Sequence, residues 1–97
     1  MELVRDDNAL KVIGDLDRFH LTSQSQFIFP EHNGEKVAVD LAVAKTIDTA
    51  GLAWLLKLIS FYQQQNKSIS VINAPKQLIA LAELSNVLAL LPIIKSA

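Results

Sequence analysis

Between Thr49 and Gln65 the chain places Leu52, Leu55, Leu56 and Ile59 at i, i+3, i+4 and i+7. That spacing makes one buried stripe on an α-helix. Burying four such side chains contributes about 6–12 kcal/mol before entropy, at about 1.5–3 kcal/mol each. Strand-type segments flank the helix. Lys36 to Leu41 alternates, with Val37, Val39 and Leu41 on one side and Ala38 and Asp40 on the other. Ser68 to Asn73 sets Ile69 and Val71 against Ser68 and Ser70. A long helix between two strands predicts a right-handed crossover, which makes those strands parallel neighbours.

The remaining elements follow from shorter signals. Leu3-Val4 and Leu10 with Val12-Ile13 read as a β-hairpin around Asp6-Asp7-Asn8, because Asp and Asn bond nearby backbone and tolerate left-handed geometry. Gly14-Asp15-Leu16-Asp17 breaks the second strand. Thr22 and Ser23 cap a short helix that buries Phe27-Ile28 and ends by Pro30, and Glu31 to Glu35 is a loop. Asn66-Lys67 ends the long helix. Asn73 caps a further helix with Pro75 near its start and an apolar stripe of Leu78, Leu81 and Ala82. Ser85-Asn86 interrupts that helix before an apolar turn, Val87 to Leu91, closed by Pro92. The predicted order is β-β-α-β-α-β-α: a mixed α/β fold with a four-stranded mixed sheet and helices mainly on one face.

Composition excludes several function classes. At 97 residues the chain is expected to form a single domain, 1–97. Nine basic against ten acidic residues give a net charge of −1, a poor basis for binding nucleic acid through phosphate neutralisation. With no cysteine, disulfide scaffolds and thiolate metal sites are out. The N-terminus is charged within its first residues and lacks the apolar core of a signal peptide. The charge-free run Leu84–Ile94 falls well short of the roughly 20 apolar residues of a spanning helix. A soluble protein that stays in the compartment where it is made is expected.

No catalytic constellation is legible. His20 and His32 lack ligand spacing and read as solvated, and no P-loop, dinucleotide fingerprint or Ser-His-Asp signature occurs. Asp15, Asp17, Asp40 and Asp48 sit at predicted strand ends where they could converge on Mg²⁺, but Asp15 and Asp17 serve a turn more simply. No enzyme, cofactor or metal site is expected. Asp48 and Thr49 are ordinary N-cap residues, worth about 1 kcal/mol. A phosphate at this helix start is physically possible, but Gly51 alone does not make a phosphate-cradling loop. On the long helix, with Leu52 to Ile59 facing inward, Trp54 falls about 200° from Leu52, Phe61 about 180°, Ala50 about 160°, Lys57 about 140° and Ala53 about 100°. Trp54 and Phe61 are thus expected to face outward beside small alanines, as a partner surface.

Two motifs carry a family resemblance. Gly14-Asp15-Leu16-Asp17 after an early strand, and Asp40-Leu41 followed by Ile47-Asp48-Thr49-Ala50-Gly51-Leu52, resemble the "G-x-L-D" and "D-[ST]-x-G-L" elements of the STAS domain family. The likeness runs from about Leu10 to Pro92, in element order as well as motif. The run "V-D-L … D-T-x-G-L-A-x-L-L-x-L-I" looks most like the small STAS subunits of Mla-type phospholipid-transport ABC complexes. Ala50 departs mildly from the Ser or Gly often found there. The resemblance implies a non-catalytic cytoplasmic subunit, peripheral to the inner membrane. It would bind and regulate the ATP-binding subunit, in complex with a membrane permease, and so support outer-membrane lipid asymmetry. The resemblance implies binding through the start and outer face of the long helix, which on the angular positions above makes Thr49, Ala50, Ala53, Trp54, Lys57 and Phe61 the expected partner-binding residues; Gly14, Asp15, Asp17, Asp48 and Gly51 are motif residues. Thr49 also occupies the position of the phosphorylatable serine of anti-sigma factor antagonists, which makes such a regulator the alternative. A small-ligand or nucleotide-binding module is a third, more distant reading.

Overall fold

A computed structural model describes residues 1–7 and 9–94. The chain runs β1 (Glu2–Asp6), β2 (Ala9–Leu16), a 3-10 turn (Gln24–Phe27), β3 (Lys36–Asp40), β4 (Ala44–Ile47), α1 (Thr49–Gln63), β5 (Ser68–Ile72), α2 (Lys76–Leu84) and a second 3-10 turn (Leu88–Leu90). β1 and β2 form the expected antiparallel hairpin, from Glu2↔Ile13 to Asp6↔Ala9. Asp7 in its turn has φ 53°, the left-handed geometry anticipated for Asp or Asn, while Asn8 lies outside the described residues. β2 pairs in parallel with β3, and β3 with β5 from Lys36↔Ser68 to Asp40↔Ile72. β3 and β5, the strands expected to flank the long helix, are therefore parallel neighbours, although a further strand intervenes between β3 and α1.

The sheet has five strands rather than four. The additional one, β4, pairs in parallel with the last residues of β2, Gly14↔Ala44 and Leu16↔Ile47. Only residues 41–43 separate it from β3, so it continues along the same edge of β2. Ala44-Lys45-Thr46-Ile47 buries Ile47 alone and shows no alternating pattern. Its strand identity comes from the partner. For the same reason Gly14 does not break β2. The strand passes through Gly14 at φ +95°, where the register shifts, and ends at Leu16. An L side chain would be strained at that φ.

α1 and α2 pack on one face of the sheet. Leu10, Val12 and Leu16 of β2, Val37 and Val39 of β3, Ile47 and Val71 meet Leu52, Leu55, Leu58 and Ile59 of α1 and Leu78 and Ala82 of α2 in one core. Leu56, expected in that stripe, is only half-buried, and Leu58 and Tyr62 fill the interior instead. Asn66 ends the turn after α1 at φ 61°. α2 does not use Asn73 as its cap. Pro75 holds that position without a side-chain bond, while Asn73 sits at φ 56° and donates to Asp40 Oδ1 at 3.0 Å.

The largest departure from the sequence reading is the segment between β2 and β3. In place of a helix it makes a single 3-10 turn, closed by a capping box in which Ser23 Oγ and the Gln26 side chain bond each other's backbone. With no apolar stripe among Gln24, Ser25 and Gln26, nothing rewards a longer helix. The segment instead lies along one flank of α1. Phe29 packs edge-on against Trp54, with centroids 5.7 Å apart, and against Phe61 at 5.5 Å. Three aromatic tips bond backbone carbonyls of the segment or its end: Trp54 Nε1 donates to Gln26 O at 2.7 Å, the Tyr62 hydroxyl to Pro30 O, and His32 Nε2 to Lys36 O at 2.8 Å. His32 is consequently buried at 7 % exposure, not solvated.

Candidate functional site

The site begins where β2 ends and α1 starts. Gly51 lies so close to the β2 backbone that a Cβ built on it stands 2.0 Å from the Leu16 carbonyl oxygen. No side chain fits there, so glycine is required for this approach of helix to strand. Asp48 precedes it as the N-cap, its Oδ1 accepting from Gly51 N at 3.0 Å. Its Oδ2 accepts from Arg18 N, also at 3.0 Å, and so ties the turn after β2 to the same carboxylate. Burial alone would raise the Asp48 pKa. The N–H groups of Arg18, Gly51 and Ala50 outweigh it, and the carboxyl ends below its ordinary value.

The turn itself is organised by Asp17. Its Oδ1 accepts from Phe19 N and His20 N, each at 3.1 Å, and from His20 Nδ1 at 2.7 Å. Thr46 of β4 places its hydroxyl between Asp15 Oδ1 at 2.9 Å and Asp17 Oδ2 at 3.1 Å. The His20 side-chain bond is the main reason that the Asp17 carboxyl is held below its ordinary value. Asp15, Asp17 and Asp48 therefore gather at one end of the sheet. Asp40 does not join them; it accepts from Ala42 N and Asn73 at the end of β3. The carboxylates of the gathered group are engaged with backbone N–H groups, Thr46 and His20, which is the work of a turn and a cap. Thr46 and Arg18 carried no signal in the sequence, because their roles exist only once β4 and the turn meet.

Thr49 is left exposed as the first residue of α1. Of the five residues Asp48 to Leu52, one caps, one allows close approach and one anchors the core, while Thr49 faces outward with half-buried Ala50 beside it. Ala53 and Lys57 continue the exposed line along the helix, and half-buried Phe61 borders it. Trp54 does not belong to it. The indole has no exposed surface and sits beneath Gln26 and Phe29. Trp54 does lie on the far side of α1 from the Leu52–Ile59 stripe, but that stripe is not the whole interior: α1 is buried on two flanks. Of the apolar run Phe27-Ile28-Phe29 just before Pro30, Phe29 alone supplies this second cover; Phe27 and Ile28, expected to be buried by a helix, are exposed, because the short 3-10 turn presents no continuous apolar face to the core.

A protein-family model described as "Mlab, STAS domain" matches residues 1–92. Comparison with curated proteins finds no match. The motif geometry at Gly14–Asp17 and Asp48–Leu52 and the parallel pairing of β3 with β5 across the α1 crossover thus come with a match over nearly the whole chain: it belongs to the STAS domain family, whose members are regulatory, non-catalytic modules.

Proposed function

We propose that this chain is a regulatory subunit that binds the ATP-binding subunit of an Mla-type phospholipid-transport ABC complex, through the start and outer face of α1. In that role it acts at the cytoplasmic side of the inner membrane, held there by its partner and the permease, and contributes to outer-membrane lipid asymmetry. Among the described residues no helix is long and apolar enough to cross a membrane. The observation that carries the reading is the exposed line Thr49, Ala53 and Lys57, with Ala50 and Phe61 at its border, presented by a helix start that Asp48 caps and Gly51 seats against β2. Small side chains at its head let a partner backbone approach closely. The description of the matching family supports the choice of complex.

The test is co-purification of the tagged chain with the ATP-binding subunit expressed beside it, followed by ATP hydrolysis with and without the chain. A stoichiometric complex with altered hydrolysis is expected; independent elution of the two proteins removes the reading.

One observation favours a second reading, an anti-sigma factor antagonist. Thr49 is exposed at a helix N-terminus, where the dipole favours an added phosphate. Phosphate found by mass spectrometry on Thr49 of protein isolated from its native cell, together with capture of a kinase, selects this reading over the transporter.

A further inference from the structure

Beside Lys57, two helical turns along from Thr49, α1 and the 3-10 turn enclose an open groove of about 610 Å³. Phe27, Phe29 and Phe61 supply its apolar surface. Phe27 remains 38 % exposed, and Ile28 on the same turn is 78 % exposed. Gln24, Ser60 and Gln64 add uncharged polar groups to the lining. Lys57 is the one ionisable residue in the lining, which includes no acid, and it makes no ion pair among the described residues. An aromatic trough with a single unanswered cation has a definite complement.

We infer that this groove receives a segment of the partner protein that carries an aromatic or aliphatic side chain next to a carboxylate. The apolar group covers Phe27 and Phe61, and the carboxylate meets the Lys57 ammonium. The inference rests on the reading of α1 as the partner-binding helix and names the chemistry of what binds there. Apolar burial supplies the affinity, since an exposed ion pair contributes little. The charge supplies the choice of partner by disfavouring basic segments.

Two arms keep this inference separable from the reading beneath it. In the first, the ¹⁵N-labelled chain is titrated with acetyl-Glu-Leu-Phe-Glu-amide and with acetyl-Lys-Leu-Phe-Lys-amide. The acidic peptide should shift the amides of Gln24, Lys57 and Gln64 saturably. It should bind about two- to fivefold more tightly than the basic one, with the preference lost in Lys57→Gln and reduced by salt. Equal binding of the two peptides, or shifts elsewhere on the chain, overturns the inference whatever the partner is. In the second arm, the ATP-binding subunit is captured by wild type, Thr49→Glu and Phe27→Ser, the last at a groove residue outside α1. Loss with both variants supports the groove as part of the interface. Loss with Thr49→Glu alone overturns the groove and leaves the α1 reading standing. Failure of wild type to capture the subunit removes that reading, and the inference of a partner segment falls with it.

Discussion

The α-carbon of Gly51 approaches the carbonyl oxygen of Leu16 so closely that a methyl group on it would stand 2.0 Å from that oxygen. Because the neighbour is backbone in the middle of a paired strand end, it cannot swing aside as a side chain would. Gly51→Ala is expected to push the start of α1 off β2, at a cost of about 1–3 kcal/mol or more. In a chain of this size that lowers the melting temperature by about 4–8 °C per kcal/mol. A thermal melt checks it; an unchanged Tm would mean that the helix start sits farther from β2.

Thr49→Glu separates fold from function. A carboxylate in the first turn gains about 0.3–1 kcal/mol from the helix dipole. Asp48, not Thr49, provides the cap, so no cap is lost. The variant should therefore melt close to wild type, yet fail to hold the ATP-binding subunit, where the new charge would be desolvated without a partner. A melt and a pull-down on the same preparation decide it, and retained binding takes Thr49 out of the interface.

Trp54 is expected to report a buried indole in the isolated chain: short-wavelength emission, poor quenching by acrylamide, and little change when a partner binds. Trp54→Ala should cost about 3–5 kcal/mol, since it empties the space under Phe29 and removes the donor to Gln26 O. Loss of partner binding in that variant would then follow from loss of fold. Emission typical of a solvated indole would show that the 24–29 segment leaves α1 in solution.

Stability should fall on the acid side. Asp17 and Asp48 both have folded pKa values below the ordinary 3.8. A depressed carboxylate contributes stability that is fully present above its unfolded value and is lost as pH falls from there through the folded value. Melting temperatures measured from neutral pH downward should hold until pH approaches about 4 and then decline. In Asp48→Asn the decline should be shallower and the neutral-pH Tm lower. An identical acid profile in that variant would place the acid sensitivity in other groups.

Much of this protein was decided locally and is legible as such. The period of Leu52, Leu55 and Ile59, the alternation of Val37, Val39 and Leu41, and the turn chemistry at Asp6 and Asp7 each set an element through contacts within a few residues. The crossover then made β3 and β5 parallel neighbours. The start of α1 was legible too, because a cap and a glycine are short-range requirements. What tertiary structure alone decided was wherever an element's identity came from a distant partner. Ala44–Ile47 became a strand because Gly14–Leu16 offered an edge, and Gly14 stayed within β2 because its left-handed φ absorbed the shift in register. Asp40, an acid like the others, went to Asn73 instead of joining Asp15, Asp17 and Asp48. Above all, Trp54 points away from the sheet-facing stripe and is nonetheless buried, since residues 26–32 fold back over that flank and bond its indole N–H. Helical periodicity shows which side chains share a face, but a chain segment without its own periodicity can cover a second face, and only the folded backbone shows where it lies.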